Sequence, residues 1–519
     1  MEEEPKRSLK EHFEKYYKYY LIGILVFAFI IRLYMFVKFH AAGVWWDEAD
    51  YLALARNFAF GTPEQAPPYR AWGIAVLYTP LYWLGFGEYT FKFLEIIFSV
   101  LGVYLTYLIG KEFFGKRVGL IAAFGMSTYW VHLFWTAKIS MGVIGMLCSC
   151  GAALFFYKGY IKNEGRKYLI YAGALIGYGI ILYESVGFII PFMILFLLVT
   201  EKWRFVLNKK FWIFILAMFL AALPFLIANQ VMYGSPYARL DMFFNFKDIG
   251  SSDVGVGGGV LESLGLEENA GQIIWQSISI YFVNLPMMIQ WGFLILVIIG
   301  LYGFLNMFLG FDLVWKNKSS KLKKDFYVLL WPLSLLVIVG YLVSSGHGFY
   351  FEPRFAFPAM PMIFAIAGSG ALILYDSLKK YNKILGIVVV LGLLIWGGYS
   401  GVKYGIDLSE AKYTAFYYER EAGEWLKENS EEGDVFIACS QAVPLIYYAE
   451  RDIYTFHDTI ESYEGQMEEY DPTYIIFDFY GMCNGDLITQ NFEDLELVNA
   501  YFMDEAKQQP IILIFKQRA

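Results

Sequence analysis

Three carboxylates, Asp47, Glu48 and Asp50, lie within four residues of each other, shortly after the first apolar run ends. Asp47 and Asp50 are spaced as neighbours on one face of a helix. Carboxylates crowded near low-dielectric surroundings hold protons more tightly and can take part in proton transfer. We therefore take Asp47 and Glu48 as candidate catalytic residues and expect Asp50 to be a solvated helix charge. The alternative is that Asp47 only caps a helix over 49–58.

The elements that must position these acids are membrane spans. Of the 519 residues, 58% are hydrophobic and only 17% are charged, which excludes an ordinary water-soluble globule. We predict a polytopic α-helical membrane protein with about eleven transmembrane helices of about 20 residues each. The run 71–86 is short and contains Pro80, and it is predicted as an interfacial helix. The predicted spans are 20–39, 90–110, 118–135, 139–157, 168–182, 184–200, 211–230, 286–309, 326–344, 355–376 and 384–402. We expect the first run to be an uncleaved signal anchor.

Basic residues indicate the orientation. Lys and Arg number 24 in the segments 1–19, 111–117, 158–167, 201–210, 310–325 and 376–383, against 6 in the alternate segments 40–89, 136–138, 183, 231–285 and 345–354. Because basic loops stay cytoplasmic, the N-terminus is predicted to be cytoplasmic and the end of the chain to be extracytoplasmic. The expected location is the plasma membrane. One extracytoplasmic face would then carry Asp47, Glu48, Glu184, His347, Glu352 and Arg354.

Residues 403–519 form a polar region in which 24 acidic residues face 8 basic ones. A helical pattern over 413–428 alternates with short apolar strands, which predicts a small extracytoplasmic α/β domain without catalytic residues. The expected domains are therefore a membrane domain, 1–402, and a soluble domain, 403–519. Cys439 and Cys483 could pair if this region is outside, and the sequence leaves this open. Cys148 and Cys150 lie in an apolar run and are predicted to be inert.

The order of several motifs resembles a known family. The Asp47-Glu48 pair opens the first outer loop, Pro67-Pro68 follows, and then comes an apolar interfacial helix ending in Phe-Gly. The stretch 351–361, Phe-Glu-Pro-Arg-Phe-Ala-Phe-Pro-Ala-Met-Pro, is similar to the family's Arg-aromatic-x-x-Pro-x-x-Pro. This order resembles the lipid-dependent glycosyltransferases of the GT-C superfamily, above all the protein O-mannosyltransferases and the aminoarabinose transferase of lipid A.

The resemblance implies a GT-C-like fold and transfer of a hexose or pentose from a polyprenyl-phosphate or dolichyl-phosphate carrier to a glycan, lipid or protein acceptor outside the membrane. Asp47 would be the general base of an inverting reaction, with Glu48 as a second carboxylate. Basic side chains can neutralise the leaving phosphate without a metal. The candidates for phosphate and lipid binding are Arg354, Arg70, Arg56 and Lys138, and those for the substrate pocket are Glu184, His347, Glu352 and Tyr51.

Several alternatives remain open. Arg354, Arg56 and Lys138 could simply reach toward lipid headgroups, and Arg70 departs from the family pattern because Gln65-Ala66, without a Lys, precedes Pro67. No cofactor and no nucleic acid are expected. Alternatively, His347 and an acid of the first loop could bind a divalent metal, although the histidines do not show the spacing of metal ligands. We expect His132, with Tyr129, Trp130 and Trp135, to form an aromatic belt at the membrane interface.

Other protein classes are also compatible with the chain. A transporter or lipid flippase would bury charge at mid-bilayer on several spans, whereas the acids here cluster on one face. The Trp45-Trp46-Asp47 stretch echoes a motif of the oligosaccharyltransferase catalytic subunit, but it stands before the second span and Glu48 replaces the motif's Tyr. A receptor with the acidic outer domain as its binding part is a third alternative.

Overall fold

A computed structural model describes residues 9–63, 72–236, 270–316, 319–347, 351–439, 443–456, 459–479, 483, 494–503 and 509–518. The chain forms two compact units. The helical unit contains Met1–Val37 and Lys92–Leu408, and the mixed unit contains Lys38–Phe91 and Ser409–Ala519. The first predicted outer loop thus belongs to the same unit as the polar end of the chain. The expected division at residue 402 stays a prediction.

Most described residues are helical. The helices are Leu9–Phe39 (α1), Trp46–Phe60 (α2), Gly73–Trp83 (α3), Glu88–Phe114 (α4), Lys116–Ser127 (α5), Trp130–Thr136 (α6), Met141–Phe156 (α7), Arg166–Leu182 (α8), Ile189–Glu201 (α9), Lys209–Tyr233 (α10), Ala270–Val283 (α11), Leu285–Tyr302 (α12), Leu305–Leu309 (α13), Phe311–Trp315 (α14), Ser320–His347 (α15), Met360–Leu378 (α16), Lys383–Ala411 (α17), Tyr417–Asn429 (α18), Val443–Ala449 (α19) and Ile460–Tyr470 (α20). Short turns complete them: 3₁₀ turns at Glu184–Phe188, Lys202–Leu207 and Pro353–Ala359, and a π-helical turn at Tyr157–Ile161.

The helices confirm a polytopic membrane fold. Among the described residues, 8 helices are long and apolar enough to cross a membrane, or up to 9 if the bent pair α5 and α6 is one broken span. Two more predicted spans, 168–182 and 326–344, coincide with α8 and α15. The predicted total of eleven stays a prediction. Helix α3 has only 11 residues, which is too short to cross a bilayer, as the sequence predicts for run 71–86.

The helical unit has two interruptions, one between helices α5 and α6 and one within helix α12. Helices α5 and α6 meet at 55°, and α12 has non-helical backbone angles at Gln290, with φ 66° and ψ 150°. The indole of Trp130, at the start of α6, donates a hydrogen bond of 2.9 Å to the carbonyl of Met287, one turn before Gln290. Carbonyls released at a break inside an apolar unit need such donors.

Glycines bring neighbouring helices close together. A Cβ at Gly177 on α8 would meet the carbonyl of Met218 on α10, and a Cβ at Gly370 on α16 would meet that of Leu296 on α12. Small residues of this kind let the backbones of membrane helices approach, which increases their van der Waals contact.

The mixed unit contains the predicted α/β fold. Its strands are Phe436–Cys439 (β1), Ile453–Phe456 (β2), Tyr474–Asp478 (β3), Leu495–Phe502 (β4) and Pro510–Gln517 (β5). They form one sheet in the order β2-β1-β3-β5-β4, in which β1 is parallel to β2 and β3, and β5 is antiparallel to β3 and β4. All residues of β1 and β3 are buried. A disulfide joins Cys439, at the end of β1, to Cys483.

Candidate functional site

The candidate catalytic acids lie at the start of helix α2. This helix begins at Trp46, its N-cap is Trp45, and no side chain caps it. Asp47 is therefore inside the first turn and does not cap the helix, so the capping alternative is wrong. The partial positive charge at a helix N-terminus favours a carboxylate there. The ionised carboxylate is the form that accepts a proton.

The three acids differ sharply in exposure. Asp47 is partly exposed, whereas Glu48 is 1% exposed and Asp50 2%. The prediction that Asp50 is solvated is wrong, because α2 is buried along nearly its whole first half, including Tyr51 at 4%. Sequence spacing alone does not reveal that a loop helix is covered on several sides. Of these three carboxylates, Asp47 is the one that solvent can reach.

Residues from the far end of the chain hold the segment before the acids. The Phe416 ring lies against the rings of Trp45 and Trp46, with centroids 5.9 and 6.4 Å away. The backbone N–H of Val44 donates to the Tyr448 hydroxyl at 3.0 Å, and the Arg420 guanidinium donates to the carbonyl of Ala41 at 3.2 Å. The polar region, for which we expected no catalysis, therefore helps to fix the position of Asp47.

Arg56 is held by the same region. Its Nη1 donates to Oε1 of Glu450 at 2.8 Å and to the carbonyl of Tyr447 at 2.9 Å. Its guanidinium also lies 4.4 Å from the centroid of the Tyr447 ring and 5.8 Å from that of Tyr82. This geometry favours a structural role, in which Arg56 fastens α2 to α19.

In the helical unit, Arg354 is held on the turn Pro353–Ala359. Glu352 precedes the turn, and its carboxylate accepts a hydrogen bond from the backbone N–H of Arg354 at 3.3 Å. The Arg354 guanidinium lies 4.6 Å from the centre of the Trp135 ring, and its Nε is 4.0 Å from Oε1 of Glu352. The Glu352 carbonyl in turn accepts from the Tyr281 hydroxyl at 2.8 Å. A guanidinium that stacks on an aromatic ring can also pair with a carboxylate or a phosphate through its N–H groups.

Other predicted residues lie near this turn. The rings of Tyr183 and Phe355 are nearly parallel, with centroids 6.3 Å apart, so the chain at Glu184 runs close to the Arg354 turn. Lys138 follows helix α6, is 7% exposed, and its Nζ lies 5.2 Å from the centre of the Phe134 ring. The Arg354 turn therefore lies beside the C-terminal end of α6, which Lys138 follows, and beside the segment that contains Glu184.

Some predicted residues cannot be placed in this way. Arg70 lies outside the described residues. His347 ends helix α15 and Glu184 begins a 3₁₀ turn, but their side chains lie outside the described part of the structure. Within the described residues, no group of three or more His, Cys, Asp or Glu residues is arranged to hold a metal ion.

The structure also shows buried polar residues that the sequence reasoning missed. His132 is 0% exposed, and Tyr129, Trp130 and Trp135 are 2–5% exposed, so the predicted aromatic belt is wrong. Instead, His132 contacts the buried guanidinium of Arg32, a residue inside the first span. The sequence did contain a signal for this contact, namely the charge of Arg32 within a predicted span, because charged residues inside spans are rare unless they have a role.

Comparison with known proteins supports the expected resemblance. Residues 65–228 match the family described as dolichyl-phosphate-mannose-protein mannosyltransferase. This segment includes α3 to α9 and most of α10, and it ends before the Arg354 turn. Asp47 precedes it. No curated protein matches the sequence.

Solved structures match over most of the chain. The oligosaccharyltransferase AglB from Archaeoglobus fulgidus, in complex with an inhibitory peptide and a dolichol-phosphate, matches with a TM-score of 0.60 and 14% identity, over 89% of this chain and 70% of AglB. ArnT from Cupriavidus metallidurans, bound to undecaprenyl phosphate, matches with a TM-score of 0.59 and 12% identity, over 95% of this chain and 97% of ArnT. The chain therefore has the fold of the GT-C glycosyltransferases, and the predicted resemblance is confirmed.

Proposed function

We propose that this protein is an integral-membrane glycosyltransferase that moves a sugar from a polyprenyl-phosphate carrier to an acceptor on the extracytoplasmic side. The observation that carries the proposal is the state of the acid cluster: Asp47 is accessible in the first turn of α2, while its neighbours Glu48 and Asp50 are buried. The fold and the family match supply the reaction class.

In the proposed reaction, Asp47 accepts the proton of the acceptor hydroxyl. The acceptor oxygen forms a bond to the anomeric carbon, and the bond between that carbon and the phosphate oxygen breaks. Its electron pair leaves with the polyprenyl phosphate. A single displacement of this kind inverts the anomeric centre. A positioned general base contributes about 10² to 10⁴ in rate.

Arg354 and Lys138 are proposed to bind the lipid phosphate. Planar guanidinium groups pair well with phosphate oxygens, and a cation at the leaving group stabilises the charge that develops there. Arg56 is not part of this proposal because its guanidinium is engaged by Glu450 and Tyr447. Glu184, His347 and Glu352 remain proposed pocket residues of the helical unit, with Glu352 in a buried position. In the mixed unit, the buried Tyr51 remains a proposed substrate residue.

The proposed orientation places the mixed unit outside the cytoplasm. The disulfide between Cys439 and Cys483 supports this orientation, because such bonds persist in oxidising compartments and are rare in the cytosol. The distribution of basic residues supports it independently.

The test is a transfer assay with the purified full-length protein. It would be incubated with polyprenyl-phosphate and dolichyl-phosphate sugars and with peptide, glycan and lipid acceptors, and the products analysed by mass spectrometry. We expect covalent transfer of one sugar and release of free polyprenyl phosphate.

A transporter remains the second candidate, because Arg32 and His132 bury polar groups between spans. Uptake of a labelled solute into proteoliposomes, without any covalent product in the transfer assay, would establish the transporter and exclude the proposed enzyme.

A further inference from the structure

Arg32 lies inside the candidate span Glu14–Phe39 and is 0% exposed. A guanidinium carries five N–H donors, accepts no hydrogen bond and keeps its charge. Burying it away from water is costly unless its donors are satisfied. Its hydrogen bonds run from Nε to Ser99 Oγ (2.5 Å), from Nη1 to the carbonyls of Ala28 and Ser127 (3.1 Å each), and from Nη2 to the carbonyl of Met126 (3.4 Å) and to His132 Nδ1 (2.9 Å).

Two of these acceptors are the last carbonyls of helix α5. This helix ends at Ser127, and α6 continues at 55° to it. The last carbonyls of a helix have no partner within the helix, and inside an apolar unit no water replaces one. A positive charge at a helix C-terminus also interacts favourably with the helix dipole. Arg32 therefore stabilises the break between α5 and α6.

The other side of the break is held through His132 on α6. Because a guanidinium only donates, Nδ1 of His132 must be the acceptor, so the ring is neutral with its proton on Nε2. Thr136, one turn later, donates to the His132 carbonyl at 2.5 Å, and its Oγ1 lies 2.9 Å from Ser99 Oγ. Arg32 and Ser99 together thus fix both the start and the end of the short helix α6.

Helix α6 in turn contacts the turn that carries Arg354. The His132 ring meets Phe357 edge-on, with centroids 5.5 Å apart. Trp135, on the same helix, lies under the Arg354 guanidinium, and Lys138 follows the end of the helix. A change in the angle between α5 and α6 would therefore move the ring beneath Arg354 and shift Lys138 as well.

We propose that Arg32 is a positioning residue for binding of the lipid phosphate. It holds the broken span in the shape that places Arg354 and Lys138, without touching the phosphate itself. The ligand is the anionic phosphate headgroup of a polyprenyl lipid. This inference rests on the proposed function, because the role of Arg354 as a phosphate ligand belongs to that proposal.

The test measures affinity for sugar-free polyprenyl phosphate with purified full-length protein in detergent. The variants are Arg32→Met, Arg32→Lys, which keeps the charge but loses the planar fork, and His132→Asn, which keeps an acceptor near Nδ1. Thr106→Val is the matched control: Thr106 lies on α4 with Ser99, is buried, and its hydroxyl donates to the carbonyl of Gly102 in the same helix. Each variant is also combined with Arg354→Gln.

We expect Arg32→Met and Arg32→Lys to weaken lipid binding by roughly 3- to 30-fold, with Thr106→Val binding as the wild type does. In the Arg354→Gln background the Arg32 variants should cause a smaller loss than in the wild-type background, because their effect through Arg354 is already removed and only their effect through Lys138 remains. If the role of Arg32 were purely structural, its variants would lower the melting temperature, and they would weaken lipid binding by the same factor with and without Arg354→Gln.

The inference is overturned if folded Arg32→Lys protein binds the lipid as the wild type does, or if the losses at Arg32 and Arg354 simply add. His132→Asn should bind closer to the wild type than Arg32→Met does, because an acceptor for Arg32 remains. If wild-type protein binds polyprenyl phosphate but transfers no sugar, the proposed function fails separately. Should Arg32→Met not fold, the Lys variant still decides.

Discussion

Replacing Arg56 by Met is expected to lower the stability of the mixed unit and to leave lipid-phosphate binding unchanged. Arg56 and Glu450 are 17% and 27% exposed and 2.8 Å apart. Exposed ion pairs contribute about 0.2–1 kcal/mol, whereas breaking a buried pair costs about 3–5 kcal/mol. This half-buried pair lies between those cases. Since Arg56 also contacts the carbonyl and the ring of Tyr447, we expect Arg56→Met to cost about 2–4 kcal/mol in total.

The chain offers a matched control for this variant. Lys403 and Asp407 form an ion pair of nearly the same length, 2.7 Å, but their side chains are 55% and 53% exposed. Lys403→Met should therefore cost less than about 1 kcal/mol. The difference between the two variants isolates the effect of burial and of the additional Tyr447 contacts.

The assay for both variants is thermal unfolding of the full-length protein in detergent, followed by binding of polyprenyl phosphate. For a unit of about 150–250 residues, 1 kcal/mol corresponds to roughly 2–4 °C in melting temperature, so Arg56→Met should unfold several degrees below Lys403→Met. An unchanged melting temperature combined with weakened lipid binding would refute the reasoning. Arg56 would then be the phosphate ligand that the sequence predicts.

Three further predictions concern single groups. Burial, with the nearby charge of Asp478, raises the pKa of Glu419 from 4.5 to about 8. Between these two pH values the folded protein keeps a proton that the unfolded chain releases. The contribution of Glu419 to stability is therefore full below about pH 4.5, and it falls by at most about 5 kcal/mol as the pH rises to 8. Melting temperatures between pH 5 and 8 should fall less steeply for Glu419→Gln than for the wild type, and parallel curves would contradict this cause. Removing the disulfide with Cys483→Ser should cost about 4 kcal/mol for its 44-residue separation, measured as a lower melting temperature. A reductant should lower the melting temperature of the wild type in the same way and should leave that of the variant unchanged. A melting temperature that changes neither with the substitution nor with the reductant would contradict this prediction. Arg354→Gln should weaken binding of polyprenyl phosphate roughly tenfold or more at an unchanged melting temperature, and wild-type affinity would remove Arg354 from the proposed phosphate site.

The sequence predicted the spans because a span is a local property. The length of an apolar run and the absence of charge are readable within about 20 residues, and each predicted span coincides with described helical segments. The apolar strands β1, β3 and β5 of the mixed unit were predictable for the same reason. The break between α5 and α6 was not predictable, because the residue that donates hydrogen bonds to its carbonyls, Arg32, lies nearly a hundred residues earlier in the chain.

The candidate site depends on contacts between distant residues, and there the sequence was a weaker guide. Spacing identified the acid cluster, but it could not show that Asp50 is buried while Asp47 stays accessible. Phe416, which lies against Trp45 and Trp46, adopts a positive φ of 60° about 370 residues further along the chain and carries no recognisable motif. His132 looked like an interfacial aromatic because its neighbours are aromatic, and its partner Arg32 could not be inferred from spacing.

The most direct test of the account is the rate of sugar transfer by Asp47→Asn protein. The substitution keeps the size of the side chain but removes its ability to accept a proton at neutral pH. We predict that kcat falls by about 10² to 10⁴, while the affinity for polyprenyl phosphate and the melting temperature stay close to those of the wild type. Transfer at the full wild-type rate by the folded Asp47→Asn protein would contradict the assignment of Asp47 as the general base.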